Sequence, residues 1–226
     1  MVATKKTLIA PSILSADFSR LADSVALVEH EGGADLLHID VMDGHYVPNL
    51  TIGPCVVASL RKSSKLFFES HLMVTNPDDL LDEFIKAGSD RIVVHPETCL
   101  HLHRTLSKIK EAGIQAGLAL NPSTQIEDCS FEYLAELIDS VTVMSVNPGF
   151  PAQKFIPSAC KKIEDLVAHF EMLEIDWIKI QVDGGINSQT APLVVKVGAN
   201  ILVAGNAVFN TPNPLQAVKD LRDSVG

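Results

Sequence analysis

Leu36-Leu37-His38-Ile39-Asp40-Val41-Met42-Asp43-Gly44 is the stretch from which the fold can be read. Residues 36–42 form an apolar run closed by an Asp-Gly turn signal, the pattern of a buried strand. Only His38 and Asp40 interrupt it. They stand two apart, and because strand side chains alternate, both point to the same side. An imidazole and a carboxylate on the buried side of a strand are costly to desolvate unless they bind something. A self-satisfied His–Asp pair is one solution. A divalent cation is the other, since both groups are metal ligands.

Outward from this strand, similar short apolar runs recur at 8–10, 66–71, 91–95, 115–120, 141–144, 178–182 and 201–204. Each is followed by a loop and a stretch with helical periodicity. The helices are expected from Asp17 to about Glu31, stopped by Gly32-Gly33, and at 54–61, from Asn76-Pro77 to before Gly88, and at 100–111, 131–138, 157–172, 188–197 and 214–224. Eight strand–helix units without hairpin signals in 226 residues predict the α/β class and one (β/α)8 TIM barrel over 1–226, a single catalytic domain. The first loop lacks the Gly-x-Gly-x-x-Gly fingerprint that a doubly wound dinucleotide fold would carry there.

Composition narrows the function classes. Hydrophobic residues make up 46% and charged residues 20%, as in a compact globular chain. A net charge of -10 speaks against nucleic acid and anionic membrane as partners, yet backbone amides can still bind an anionic small molecule locally. Cys55, Cys99, Cys129 and Cys160 show neither Cys-x-x-Cys spacing nor a disulfide framework. No signal-peptide core follows Lys5-Lys6, and no apolar stretch approaches the roughly 18 residues of a membrane span. A cytoplasmic protein is expected.

In a barrel of this kind the active site lies at the C-terminal ends of the strands. His38 and Asp40 on the second strand, His71 at the end of the third and Asp183 at the end of the seventh all fall on that rim. Two histidines and two aspartates suit one divalent metal cation, with Zn, Fe, Mn and Co equally served by these donors. Asp40 and Asp183 stand on opposite sides of the barrel, as required of two groups that exchange a proton across one carbon. Lys65 and Lys179 lie at strand starts, which disfavours a Schiff-base lysine. Gly149, Gly184-Gly185 and Gly205 open the loops after strands six, seven and eight, where barrels of this type cradle phosphate. Met42, Met73 and Met144 sit at strand ends and are expected to form a soft, dry wall beside a substrate.

These motifs, taken in order, resemble the ribulose-phosphate 3-epimerase family over essentially the whole chain. The carrying residues are 10–18 (APSILSADF), 38–44 (HIDVMDG), 47–49 (VPN), 71–74 (HLMV), 144–150 (MSVNPGF) and 182–186 (VDGGI). The resemblance implies a ribulose-phosphate-binding barrel that interconverts D-ribulose 5-phosphate and D-xylulose 5-phosphate in the pentose phosphate pathway. It implies Asp40 and Asp183 as the acid–base pair, and a metal on His38, Asp40, His71 and Asp183 that polarises the ketone and stabilises a cis-enediolate. Substrate contacts are expected from Ser12, Met42, His71, Met73, Met144, Gly149, Phe150, Asp183, Gly184, Gly185, Gly205 and Asn206, and the chain is expected to form a homo-oligomer. Five positions depart from the family pattern: Pro151-Ala152 replaces Gly-Gly, Asn206 a common serine, Gln181 a common glutamate, and Glu69 a common aspartate.

Two alternatives stay open at this stage. One is a 3-epimerase acting on a hexulose 6-phosphate such as D-allulose 6-phosphate, which the changed loop at Pro151 permits. The other is a sugar-phosphate-binding barrel without catalysis. A lyase of the phosphate-binding barrels would carry Asp-x-Lys-x-x-Asp, and His38-Ile39-Asp40-Val41-Met42-Asp43 has no lysine.

Overall fold

The computed structural model describes residues 6–30 and 33–226, so Glu31 and Gly32, at the expected end of the first helix, lie outside the described residues. Strands β1 (Leu8–Pro11), β2 (Leu36–Met42), β3 (Phe67–Met73), β4 (Arg91–Val94), β5 (Gln115–Leu120), β6 (Ser140–Met144), β7 (Lys179–Asp183) and β8 (Ile201–Ala204) are all parallel. They lie in the order β1-β8-β7-β6-β5-β4-β3-β2, which brings β1 round to β2 and makes a (β/α)8 barrel. Helices α1 (Leu21–His30), α2 (Pro54–Arg61), α3 (Leu81–Lys86), α4 (Leu102–Glu111), α5 (Phe131–Leu134), α6 (Ser158–Met172), α7 (Ala191–Lys196), α8 (Asn206–Phe209) and α9 (Pro214–Asp223) fill the crossovers.

Local chemistry sets several boundaries. Pro54 and Pro214 occupy first turns, where a missing N–H costs nothing, and Asn213 caps α9 by accepting from the Gln216 N–H at 3.1 Å. Helix α7 starts at Ala191 and not at the expected Ser188, because the Asn187 side chain accepts from the N–H groups of Gln189 (2.8 Å) and Thr190 (3.1 Å) and holds a turn there. Strand β3 runs two residues past His71, since β2 stays in register with it as far as Met42 opposite Met73. Helix α8, four residues long, has no counterpart in the sequence pattern, which reads Gly205-Asn206 as loop.

Alternation along each strand divides the interior in two. Leu37, Ile39 and Val41 of β2 point outward into the large core between sheet and helices, with Phe68, Leu72, Ile92, Val94 and Leu118. Each such fully buried side chain contributes roughly 1.5–3 kcal/mol. The residues between them point into the barrel. There a small apolar plug of Ala10, Leu36, Ile201 and Val203 closes one level, and Met42, Met73 and Val47 form another. Between these lies a polar layer, buried throughout: His38, Glu69, Arg91, Thr142 and Gln181.

Two features of the bottom of the barrel complete the frame. The residue just before each even-numbered strand takes the N–H of the second residue of the preceding odd-numbered strand on its side chain. Asp35 accepts from Ile9 at 2.9 Å, Asp90 from Phe68 at 2.7 Å, Asp139 from Ala116 at 2.8 Å and Asn200 from Ile180 at 2.7 Å. Cations attend the three aspartates: Lys6 and Arg222, Arg61, and Lys110. The second feature is the seam between β1 and β2. No ladder joins these two strands; they meet through the Asp35 N–H donating to Ile9 O at 3.0 Å, the Asp35 side chain, and an isolated bridge between Ser12 and His38.

Candidate active site

Strands β2, β3 and β7 bring His38, Asp40, His71 and Asp183 together at the rim end of the polar layer, each offering one donor atom within 4.8 Å of the others. His38 Nε2 lies 3.4 Å from Asp40 Oδ1 and 3.5 Å from Asp183 Oδ2; His71 Nδ1 lies 3.8 Å and 3.7 Å from the same two oxygens. Four donors each about 2 Å from one ion stand roughly 3.4 Å apart in a tetrahedron. The spacing fits a divalent cation. So does hydrogen bonding: His38 Nε2 and His71 Nδ1 are buried and have no hydrogen-bond partner among the described residues, which is expensive unless their lone pairs are used.

Electrostatics agree. Burial alone disfavours charge on His38, yet the Asp40 carboxylate beside it, then Asp183 and the bond to Glu69, carry its pKa well above the ordinary imidazole value. Burial likewise opposes charge on Asp40, but the neighbouring His38, then His71 and the Ser12 hydroxyl, bring its pKa below the ordinary one. Ser12 Oγ donates to Asp40 Oδ2 at 2.5 Å. A pocket that by itself attracts a proton between two carboxylates is one where a cation can take that proton's place. Burial, with His38 nearby, lowers the pKa of His71 and favours the neutral form a ligand needs.

The layer beneath holds His38 in place. His38 Nδ1 donates to Glu69 Oε1 at 2.7 Å; Glu69 also accepts from Arg91 Nη1 at 2.6 Å and from Gln181 Nε2 at 2.6 Å. Burial would raise the Glu69 pKa, but the Arg91 charge and these bonds lower it to about 2, so the carboxylate is ionised and only accepts. Two of the departures from the family pattern, Glu69 and Gln181, are therefore hydrogen-bonded to each other, with Gln181 also donating to Thr142 Oγ1 at 3.0 Å. Sequence reasoning noted both positions but assigned them no task, and it missed Arg91 and His95 altogether. The contact between Glu69 and Gln181 spans 112 residues, and nothing local signals it.

Above His38, Asp40, His71 and Asp183 opens a cavity of about 580 Å³ lined by Ser12, Asp40, Met42, Met73, Met144, Gly149, Phe150, Asp183, Gly184, Gly185, Gly205 and Asn206. Of the expected substrate contacts, His71 does not line it: that ring is fully buried and reaches the site only through Nδ1. Lys154, which the sequence reading passed over, is among the described residues the only lysine or arginine along the wall. Backbone geometry confirms why glycine stands after β7. Gly185 has φ +65°, and a Cβ there would sit 2.7 Å from the Phe155 nitrogen. In the loop after β6, Gln153 Nε2 donates to the carbonyls of Asn147 (2.6 Å) and Phe150 (2.9 Å), and Ala152, where the family pattern has glycine, takes φ +58°. Pro151 and Ala152 thus leave that loop closed and stapled from within.

Comparison with known proteins places this geometry. Residues 8–209 match the model of the ribulose-phosphate 3 epimerase family. The chain is 47% identical over 216 residues to the ribulose-phosphate 3-epimerase of Bacillus subtilis strain 168, covering 96% of this chain and 98% of that one. It is 45% identical to the chloroplastic ribulose-5-phosphate-3-epimerase of Arabidopsis thaliana, covering 96% and 76%, and 41% identical to the Escherichia coli K12 ribulose-phosphate 3-epimerase, covering 98% and 97%. Among solved structures, orotidine 5'-phosphate decarboxylase from Pyrococcus horikoshii OT3 superposes with a TM-score of 0.69 at 17% identity, covering 96% of this chain and 99% of that one. The 3-hexulose-6-phosphate synthase of Salmonella typhimurium gives 0.66 at 18%, covering 96% and 98%. At such identity these two share the fold alone.

Proposed function

The chain belongs to the ribulose-phosphate 3-epimerase family, and from that membership we propose that it interconverts D-ribulose 5-phosphate and D-xylulose 5-phosphate by exchanging the proton at C3. The observation that carries the mechanistic part is the opposition of Asp40 on β2 and Asp183 on β7 across one small site. Inverting a centre beside a carbonyl needs one group to take the proton from one face and a second to deliver a proton to the other. One aspartate starts as carboxylate and the other as acid; after turnover they have exchanged states, so neither role is fixed. Ser12 anchors Asp40, and Met42, Met73 and Met144 keep water from the transient carbanion. The backbone at Gly149, Gly184, Gly185, Gly205 and Asn206 is assigned to the phosphate, with Phe150 at the mouth.

His38, Asp40, His71 and Asp183 would hold one divalent cation, which when bound supplies positive charge that favours negative charge on the substrate oxygens next to C3. Two nitrogen and two carboxylate donors accept Zn, Fe, Mn or Co.

The test is NMR of D-ribulose 5-phosphate in D₂O with metal-replete protein. The C3 proton is expected to exchange as the 5-phosphate of xylulose appears, and a chelator is expected to stop both. In Asp183→Asn, epimerisation should fall by about 10²–10⁴-fold while substrate still binds. Unchanged turnover in that variant would remove Asp183 from the mechanism. Activity on D-allulose 6-phosphate with none on the pentulose would move the assignment to a hexulose 6-phosphate.

A further inference from the structure

We infer that His95 is a positioning residue: it accepts a hydrogen bond from His71 Nε2–H and so fixes which ring nitrogen His71 turns toward Asp40 and Asp183. The inference rests on the metal reading above and concerns a side chain that the proton transfer itself does not use.

His95 directly follows β4 and is fully buried. Its Nε2 lies 2.9 Å from His71 Nε2, with the two rings stacked at 5.0 Å between centroids and 24° between planes. Tyr46 packs on the His95 ring at 5.0 Å, and its hydroxyl accepts from Asn121 Nδ2 at 2.7 Å, so the ring is clamped. At 2.9 Å two lone pairs repel and two N–H groups collide, so one of the facing nitrogens carries hydrogen and the other does not. Two buried imidazolium rings so close would repel strongly, so the pair is not doubly protonated.

The other nitrogen of His71 decides the direction. Nδ1 faces Asp40 and Asp183, and a ligand nitrogen must present its lone pair. The proton of His71 is then on Nε2, His95 Nε2 is the acceptor, and the proton of His95 sits on its own Nδ1. That atom has no hydrogen-bond partner among the described residues and lies 3.8 Å from Glu97 Oε2. The two histidine ligands are consequently supported unequally: His38 leans on an ionised carboxylate, and His71 on a neutral imidazole. His71 is the weaker donor of the two.

The experiment measures cation affinity in place of turnover. Wild type, His95→Gln and His95→Leu are titrated with Zn²⁺ and with Co²⁺ against a chromophoric chelator. The Gln amide oxygen can accept the same bond; Leu cannot. His95→Leu should raise the dissociation constant roughly 10–100-fold, while His95→Gln stays close to wild type. Wild-type affinity in the Leu variant would overturn the inference, as would equal losses in both variants at unchanged thermal unfolding. Because a Leu in this position can fail to fold, ¹⁵N NMR of histidine-labelled, metal-loaded wild type decides independently. The proton is expected on His71 Nε2 and absent from His95 Nε2; the opposite assignment overturns the inference. If wild type binds neither cation, the metal reading falls and this inference with it, whereas a binding wild type with an indifferent Leu variant removes only the role of His95.

Discussion

Glu69 shows how much a single residue of the polar layer is asked to do. It is fully buried, charged, and bonded at once to His38, Arg91 and Gln181. Its pKa of about 2 in the fold, against an ordinary 4.5, has a direct thermodynamic reading. A depressed carboxyl pKa stabilises the fold above the unfolded value, and that contribution disappears as pH falls from about 4.5 toward 2. In chelator-treated protein, Glu69→Gln should therefore lower stability by on the order of 3 kcal/mol at pH 6, with the gap to wild type narrowing to about 1.4 kcal/mol at pH 3. Urea midpoints of both proteins at the two pH values check it; a gap as wide at pH 3 as at pH 6 would mean the loss is steric. At this scale the sequence was legible only where chemistry is local. His38 and Asp40 betray themselves by interrupting an apolar run and Asp183 by closing one, whereas His71, read as a strand end, stands two residues short of it. Arg91 and His95 look like an ordinary strand start and strand end, because their partners arrive from other strands.

At the scale of elements, the side-chain bonds at the bottom of the barrel tie the strands in pairs: β1 to β2, β3 to β4, β5 to β6 and β7 to β8. Asp139→Ala removes both the acceptor of the Ala116 N–H and the partner of Lys110, and a charge-assisted bond of this kind is worth about 1.5–3 kcal/mol. Asn200→Ala loses a neutral bond worth about 0.5–1.5 kcal/mol. Thermal unfolding of the two variants should rank them in that order; the reverse ranking would show that charge adds nothing there. Strand β2 was readable residue for residue, since its inward polar groups mark the alternation. Helix α8 was not, because four residues are too few to display a period. The turn before α7 hid for a different reason: Ser188 and Gln189 are tolerable helix residues, and only the Asn187 side chain diverts them.

For the molecule as a whole, the four candidate ligands lie on β2, β3 and β7, so a bound cation would brace three strands, the neighbours β2 and β3 and the distant β7. A ligand that binds only the folded state adds about 2.7 kcal/mol when present at 100 times its dissociation constant, and in a chain of this size each kcal/mol is worth about 2–4 °C. Loading the stripped protein with Zn²⁺ or Mn²⁺ should thus raise its Tm by roughly 5–10 °C, and replacing Asp40 by Asn should abolish most of that rise. An equal rise in the variant would locate the cation elsewhere. The barrel was legible from the count and spacing of eight runs, but the place where it closes was not, because nothing in β1 or β2 announces a missing ladder. That closure has a consequence for how the protein handles its reactant. A hoop fastened evenly has no preferred place to give; this one has a latch, and the Ser12 hydroxyl that helps to fasten it rests on the oxygen of Asp40. On the mechanism proposed above, every change of proton on Asp40 would alter the hydrogen bond by which Ser12 helps to close that seam.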